Sequence, residues 1–169
     1  MKKNILFLAV VLLGITFCSI SFAKDLKIGY VDVYKVFNEY DKTKESEGVL
    51  DKKKKEVETK LIEKKASIEE IQNKLETLNE EQQKVEEGKL IEQAKEYRDL
   101  ERTAVVDIRK ERDDKMKEIL EDINEVTKEY SETNDFDLVV NENTLLYSGD
   151  SIINITDQIL KICNNNYKK

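Results

Sequence analysis

From Asp41 to Thr133 the chain is densely charged and contains no proline; the whole 169-residue sequence has none. Proline is the strongest helix breaker, because it lacks an N–H and clashes with the preceding turn. The stretch therefore reads as helix from end to end. Its glycines are Gly48, near the start, and Gly88, close to the midpoint. Two arms of similar length flanking one permissive residue predict a helical hairpin over residues 42–133, with its turn at Gly88 and its tip near 86–90. Each arm, about 44 residues at about 1.5 Å per residue, is on the order of 65 Å long. An arm of that length projects from a body instead of wrapping into one.

The first arm has a countable seam. Val57, Leu61, Lys64, Ile68, Ile71, Leu75, Leu78, Gln82 and Val85 follow alternating steps of four and three, the heptad spacing of a left-handed coiled coil. Glutamates and lysines four apart, such as Glu56 with Lys60 and Glu70 with Lys74, flank it and keep a long helix soluble. The return arm is weaker. Ala94, Tyr97, Glu101, Ala104 and Ile108 carry small or polar members; Met116, Ile119, Ile123, Val126 and Tyr130 resume the pattern. Two successive four-residue steps through Arg112 predict a stutter, with looser packing toward the tip.

The N-terminus reads as a cleavable signal peptide over residues 1–23. Lys2 and Lys3 precede an apolar run from Ile5 to Phe17, and Ser21-Phe22-Ala23 offers small residues at the cleavage site. Export through such a signal implies an extracytoplasmic destination. Cleavage removes two of the 29 basic residues and none of the 36 acidic ones, so the formal charge moves from −7 to −9. That charge argues against a general nucleic-acid binder, which needs a basic face to displace counterions. Lys52 to Lys55 reads as a solvated helix face. The mature chain keeps only Cys163, so no internal disulfide and no cysteine-rich metal motif is expected; a buried, inert thiol fits it best. There is no histidine, which removes the commonest metal ligand and general base. No phosphate loop and no nucleophile with a partnered base is present either. Catalytic, metal and cofactor sites are therefore not expected. Asp135, Asp137 and Glu142 fit turn and cap roles better than a cation site.

The remaining segments, 24–41 and 134–165, form a body split by the hairpin, followed by a polar tail at 166–169. Leu26 to Val33 is rich in β-formers and reads as a strand; Asp32 can cap a short helix carrying Val36, Phe37 and Tyr40. Phe136 to Val140 reads as a second strand and Leu145-Leu146-Tyr147 as a third, with Asn141-Glu142-Asn143 and Ser148-Gly149-Asp150 as turns. Asn154 with Asp157 would cap a last helix, Ile155 to Cys163. A body of about 50 residues has a marginal core alone. Its strands are nonetheless apolar on both faces. Another copy is the simplest cover for the second face, so Ile28, Tyr30, Val31, Val33, Leu138, Val139, Val140 and Leu146 are the candidate residues of a homo-oligomeric body.

The order of these pieces resembles one family. A signal peptide, Ile28-Gly29-Tyr30-Val31-Asp32 leading to Val36-Phe37, a long charged hairpin, Phe136-Asp137-Leu138-Val139-Val140, Leu146-Tyr147 and Asn154-Ile155-Thr156 before a last helix are similar to the Skp/OmpH family of periplasmic chaperones. The resemblance implies an α+β fold: a small β-rich trimerisation body with a long inserted antiparallel coiled-coil hairpin. It also implies a homotrimer whose hairpins enclose a cavity, an ATP-independent holdase for unfolded outer-membrane β-barrel proteins, and a periplasmic location. The sequence departs from the family in having Asn154 where an Asp is usual, and in being acidic where well-known members are basic. The acidity leaves lipid contact without support. The alternative reading is a structural or adaptor coiled-coil protein of the cell envelope. No face of the arms is singled out for client binding.

Overall fold

A computed structural model describes residues 25–168; the expected signal peptide lies outside the described residues. The elements run β1 (Ile28–Val31), α1 (Val33–Glu39), α2 (Asp41–Leu75), α3 (Glu80–Thr133), β2 (Leu138–Asn141), a 3-10 turn (Glu142–Thr144), β3 (Ile153–Asn154) and α4 (Thr156–Tyr167). The molecule is thus mostly helical, with one small sheet. Asp32 caps α1 as its sequence position predicts, its side chain accepting from the Lys35 N–H at 2.9 Å.

Helices α2 and α3 lie side by side. Lys42 pairs with Glu118 and Asp122, Lys53 with Glu111, and Lys64 with Glu96. Partner numbers fall as the chain ascends, so the two helices run in opposite senses. Their lengths differ, 35 against 54 residues, or about 52 and 81 Å. The excess belongs to the base of α3, where Ile119, Ile123 and Val126 enter the body's core.

The reversal falls at residues 76–79, not at Gly88, which lies inside α3. Side chains close it instead of a glycine. Asn79 caps α3 by accepting from the Gln82 N–H at 3.0 Å. Thr77 Oγ1 donates to the Lys74 carbonyl at 2.9 Å, and Gln83 Nε2 donates to the carbonyls of Leu75 and Leu78, each at 3.1 Å. Glu80 and Glu81 add negative charge to the first turn of α3, where the helix dipole favours it. Seam residues Val57, Leu61, Lys64, Ile68, Ile71, Leu75 and Leu78 are half-buried, whereas Gln82 and Val85 lie past the turn and are exposed. On α3, Arg112 is exposed while Glu111 and Lys115 are half-buried. The seam therefore continues through charged side chains at three- and four-residue steps, and the expected stutter at Arg112 is replaced by an ion pair from Glu111 to Lys53.

The sheet has strand order β2-β1-β3, and both outer strands run parallel to β1. The third strand is Ile153–Asn154; Leu145–Tyr147 is not a strand. A strand directly after the turn at 141–143 would run antiparallel to β2. In this parallel sheet that segment instead carries the chain back across to the far side of β1. Helices dominate the body: Val36, Tyr40, Ile119, Ile123, Val126, Ile159 and Cys163 are buried with Val31 and Ile155. "β-rich" therefore overstates the sheet, whose strands have only four, four and two residues.

Helix α3 ends in a Schellman motif. Asp135 adopts φ 57°, the Phe136 N–H reaches the Ser131 carbonyl at 3.0 Å, and the Asp135 N–H reaches that of Glu132 at 3.5 Å. Lys27 Nζ seals this end, donating to the Asn134 carbonyl at 2.6 Å while lying 4.5 Å from the centre of the Phe136 ring. Asp137 Oδ2 accepts from the Lys27 N–H at 2.9 Å.

Candidate functional site

The eight residues expected to join copies of the body divide into two sets. Val31 is 2% exposed in the chain's own core, with Val33 and Val139 packed against that core. Strand alternation sends Ile28 and Tyr30 to the other side of β1, and the parallel register sets Leu138 beside Ile28 and Val140 beside Tyr30. Leu138 is 51% exposed. These four side chains make an apolar sheet face turned away from the core; Ile28, Tyr30 and Val140 are half-buried, and the 142–148 segment borders it at Tyr30. Next to it Leu146 and Tyr147 stand fully out in solvent, beside a recess lined by Tyr30 and Glu142.

A polar network holds the root of the two long helices. Lys42 Nζ donates to Asp122 Oδ2 at 2.6 Å and lies 2.8 Å from Glu118 Oε1. Lys115 Nζ donates to the other Glu118 oxygen at 2.9 Å. Hydrogen bonds from Lys42 and Lys115 hold the Glu118 carboxyl down to about 2. Burial opposes charge on Lys42, but Asp122 and Glu118 outweigh it, and its pKa lies above the usual lysine value. Tyr40 OH donates to Asp122 at 3.3 Å; burial, then the Asp122 charge, pushes that phenol up to about 12. Tyr167 packs edge-on against Tyr40 and donates to Glu45 at 2.6 Å, tying α4 to α2. Cys163 is fully buried beneath this network, and burial followed by the Asp122 charge pushes its thiol up to about 11. It is packing, not a nucleophile.

Two open grooves flank the root on opposite sides of the helix pair. One, of about 510 Å³, is lined by Phe37, Leu50, Asp51, Lys54, Arg112 and Met116 among others. The other, of about 410 Å³, is bordered by Val49, Glu111, Glu118 and Tyr167. Beyond them the arms carry exposed apolar side chains: Ile62 on α2, and Val85, Ile91 and the neighbours Val105 and Val106 on α3. The sequence pattern places Val85 in the seam, which the reversal at 76–79 overturns, and leaves Ile62, Ile91, Val105 and Val106 unassigned because they fall between heptad positions among charged residues. Among the described residues no cluster of His, Cys, Asp or Glu could hold a metal ion, and no helix is long and apolar enough to cross a membrane.

A parallel three-stranded sheet packed on helices that extend into a long paired arm defines a class of arm-bearing proteins. Residues 27–162 match the family model for outer membrane protein (OmpH-like), and the chain belongs to that family. A solved Caulobacter crescentus CB15 protein, assigned as an OmpH-like outer membrane chaperone, superposes with a TM-score of 0.73 at 8% sequence identity. The match covers 83% of this chain and 85% of that one, and at such identity it shows a shared fold. No curated protein sequence matches significantly.

Proposed function

We propose that the protein is an ATP-independent holdase of the periplasm, binding unfolded outer-membrane β-barrel proteins between helical arms and keeping them from aggregating. The observation that carries this reading is the family match over residues 27–162. The outward sheet face, with Leu138 exposed, fits it. Ile28, Tyr30, Leu138 and Val140 would join copies of the body, as a trimer, and the arms would then hang around a shared space. Barrel strands are apolar at alternate positions and leave backbone groups open, so they aggregate when unpaired. Scattered exposed apolar residues on the arms offer many weak contacts, whose sum is strong through avidity without imposing one client conformation. The absence of histidine fits a binding role with no acid–base step.

The test shortens the arm. Lys64 and Glu96 touch, so residues 65–95 can be replaced by the native reversal segment 76–79 without disturbing the root. The expected outcome is an unchanged oligomer by native mass spectrometry that no longer suppresses light scattering when a urea-denatured barrel protein is diluted beside it. Full protection by the shortened protein would refute the arm mechanism. A full-length protein that gives no suppression at stoichiometric amounts would be an envelope adaptor instead.

A further inference from the structure

All four arginines of this acidic chain, Arg98, Arg102, Arg109 and Arg112, lie on α3. Arg102 is drawn to Asp99 and Arg112 to Asp113. Among the described residues neither the Arg98 nor the Arg109 side chain makes a hydrogen bond or ion pair. Both are exposed. Along the helix Ile91, Arg98, Val105, Arg109 and Met116 follow steps of seven, seven, four and seven, each close to a whole number of turns. They therefore form one stripe, with exposed apolar members (Ile91 68%, Val105 58%, Met116 44%) alternating with uncommitted guanidinium groups.

The facing helix contributes to the same side. Residues one step past the seam fall on one side of both antiparallel helices, because reversing direction also reverses the sense in which side chains advance. The groove shared by Asp51, Arg112 and Met116 bears this out at the root. Ile62, 63% exposed, lies two residues before Lys64, and the Lys64 partner Glu96 lies two before Arg98. Ile62 and Arg98 therefore sit at about the same height on one face. Along that face Ile91, the Ile62–Arg98 level and Val105 are spaced by about 10 Å, at about 1.5 Å per residue. The opposite side carries Val49 near the root and Val85 near the tip, with acidic residues such as Glu92, Asp99 and Asp107 between.

We propose that this arginine-and-apolar face of the arm, resting on the holdase reading above, is the surface that meets the client, and that it selects an unfolded, extended polypeptide whose apolar side chains are interleaved with carboxylates. Charge complementarity identifies the occupant. An arginine fork pairs two-pronged with a carboxylate and stacks on an aromatic ring, and both Arg98 and Arg109 are free to do so. Apolar contacts about 10 Å apart suit an extended unfolded chain in the polyproline II conformation, which returns a side chain to one face every third residue, about 9 Å on. A folded helical partner would need a continuous apolar strip, which the intervening charges interrupt.

The test uses the full-length mature protein and two urea-denatured forms of one barrel protein: the natural sequence, and one with its Asp and Glu residues replaced by Asn and Gln. Fluorescence titration of labelled client gives Kd. The variant I91S/V105S/M116S should bind the natural client at least tenfold more weakly, and R98E/R109E about tenfold more weakly. V49S/V85S on the opposite side should stay within twofold. The amidated client should bind the parent protein several-fold more weakly and lose its sensitivity to R98E/R109E. All substitutions are at exposed positions, and unchanged helix content and oligomer mass show that each variant is folded. Equal binding by the parent and both stripe variants overturns the face assignment while leaving the holdase reading intact. A parent protein that binds neither client overturns both. If R98E/R109E instead abolishes binding to phosphatidylglycerol vesicles and leaves client affinity unchanged, the stripe is a membrane contact and the proposal fails.

Discussion

Gly29 shows how one absent side chain positions a whole corner of the body. A Cβ there would lie 2.9 Å from Cε1 of Phe136, 3.1 Å from Cδ1 and 3.3 Å from the Ile153 carbonyl. The glycine is required by close approach, since its φ is not positive. Phe136 in turn packs on the core and faces Tyr130 at 6.2 Å between centroids. Gly29→Ala must push that ring away from β1, and a destabilisation of about 1–3 kcal/mol is expected from overpacking of this kind. Thermal or urea unfolding measures it, and adding Phe136→Leu should restore part of the loss. If Gly29→Ala melts like the parent, the ring is not fixed against the strand. Gly88 is the opposite case: nothing lies within 4 Å of its Cβ position, so no close approach requires a glycine.

At the scale of elements, the root of the long helices responds to acid with a definite sign. Glu118 is held at about 2 when folded, against an ordinary 4.5. Between these values the unfolded chain binds more protons than the folded one, so stability rises with pH across the window. The stabilisation is fully present above about 4.5 and is lost as pH falls toward about 2. Glu118 is 46% exposed as a side chain, so solvent screening limits its share to about 1 kcal/mol or less. Lys42, whose side chain is only 17% exposed, matters more. Lys42→Met leaves Asp122 without its cation and should cost about 1–2 kcal/mol at pH 7, between exposed and buried pairs. In urea titrations at pH 7 and pH 3 the gap between parent and Lys42→Met should narrow at the lower pH. A gap that widens would reverse the assignment.

The same scale shows what could be read in advance. The α2 seam was legible because Val, Leu and Ile occupy it densely enough for a period to be counted. The end of that helix was not, because glycine drew attention to residue 88 while the reversal is closed by Thr77, Asn79 and Gln83. The signal was present as Asn79-Glu80-Glu81-Gln82, an N-cap followed three residues later by Gln. Ile153–Asn154 is too short to display strand alternation, so its pairing with β1 has no local signature. Glu111 and Lys115 continue the α3 seam because an ion pair across it substitutes for apolar contact, which hydrophobic counting passes over.

For the whole molecule, the two sides of β1 make different demands. Val31 belongs to the chain's own core, whereas Leu138 faces outward. On the proposed assembly, Leu138→Arg should leave helix content unchanged and reduce the mass to a monomer by native mass spectrometry or light scattering. Val31→Arg should unfold the body itself, because it buries a charge with no partner. A Leu138→Arg protein that keeps the parent's oligomeric mass would move the assembly surface off this sheet face.

The hydrogen bonds that close the body join residues far apart in sequence: Lys27 to Asp137 across 110 positions, Asp32 to Thr156 across 124, and Ile155 to Tyr30. The helical arm, by contrast, can zip outward from the reversal at 76–79, each pairing shortening the loop for the next. A chain delivered N-terminus first therefore completes its arm while β1 still waits for both neighbours, which arrive more than 100 residues later. The closing of the sheet is a latch thrown only once β3 and α4 have emerged. Loss of α4 to a protease during export would leave a formed arm on an open body, with Val31 and Val36 uncovered and β1 lacking what holds β3 in place.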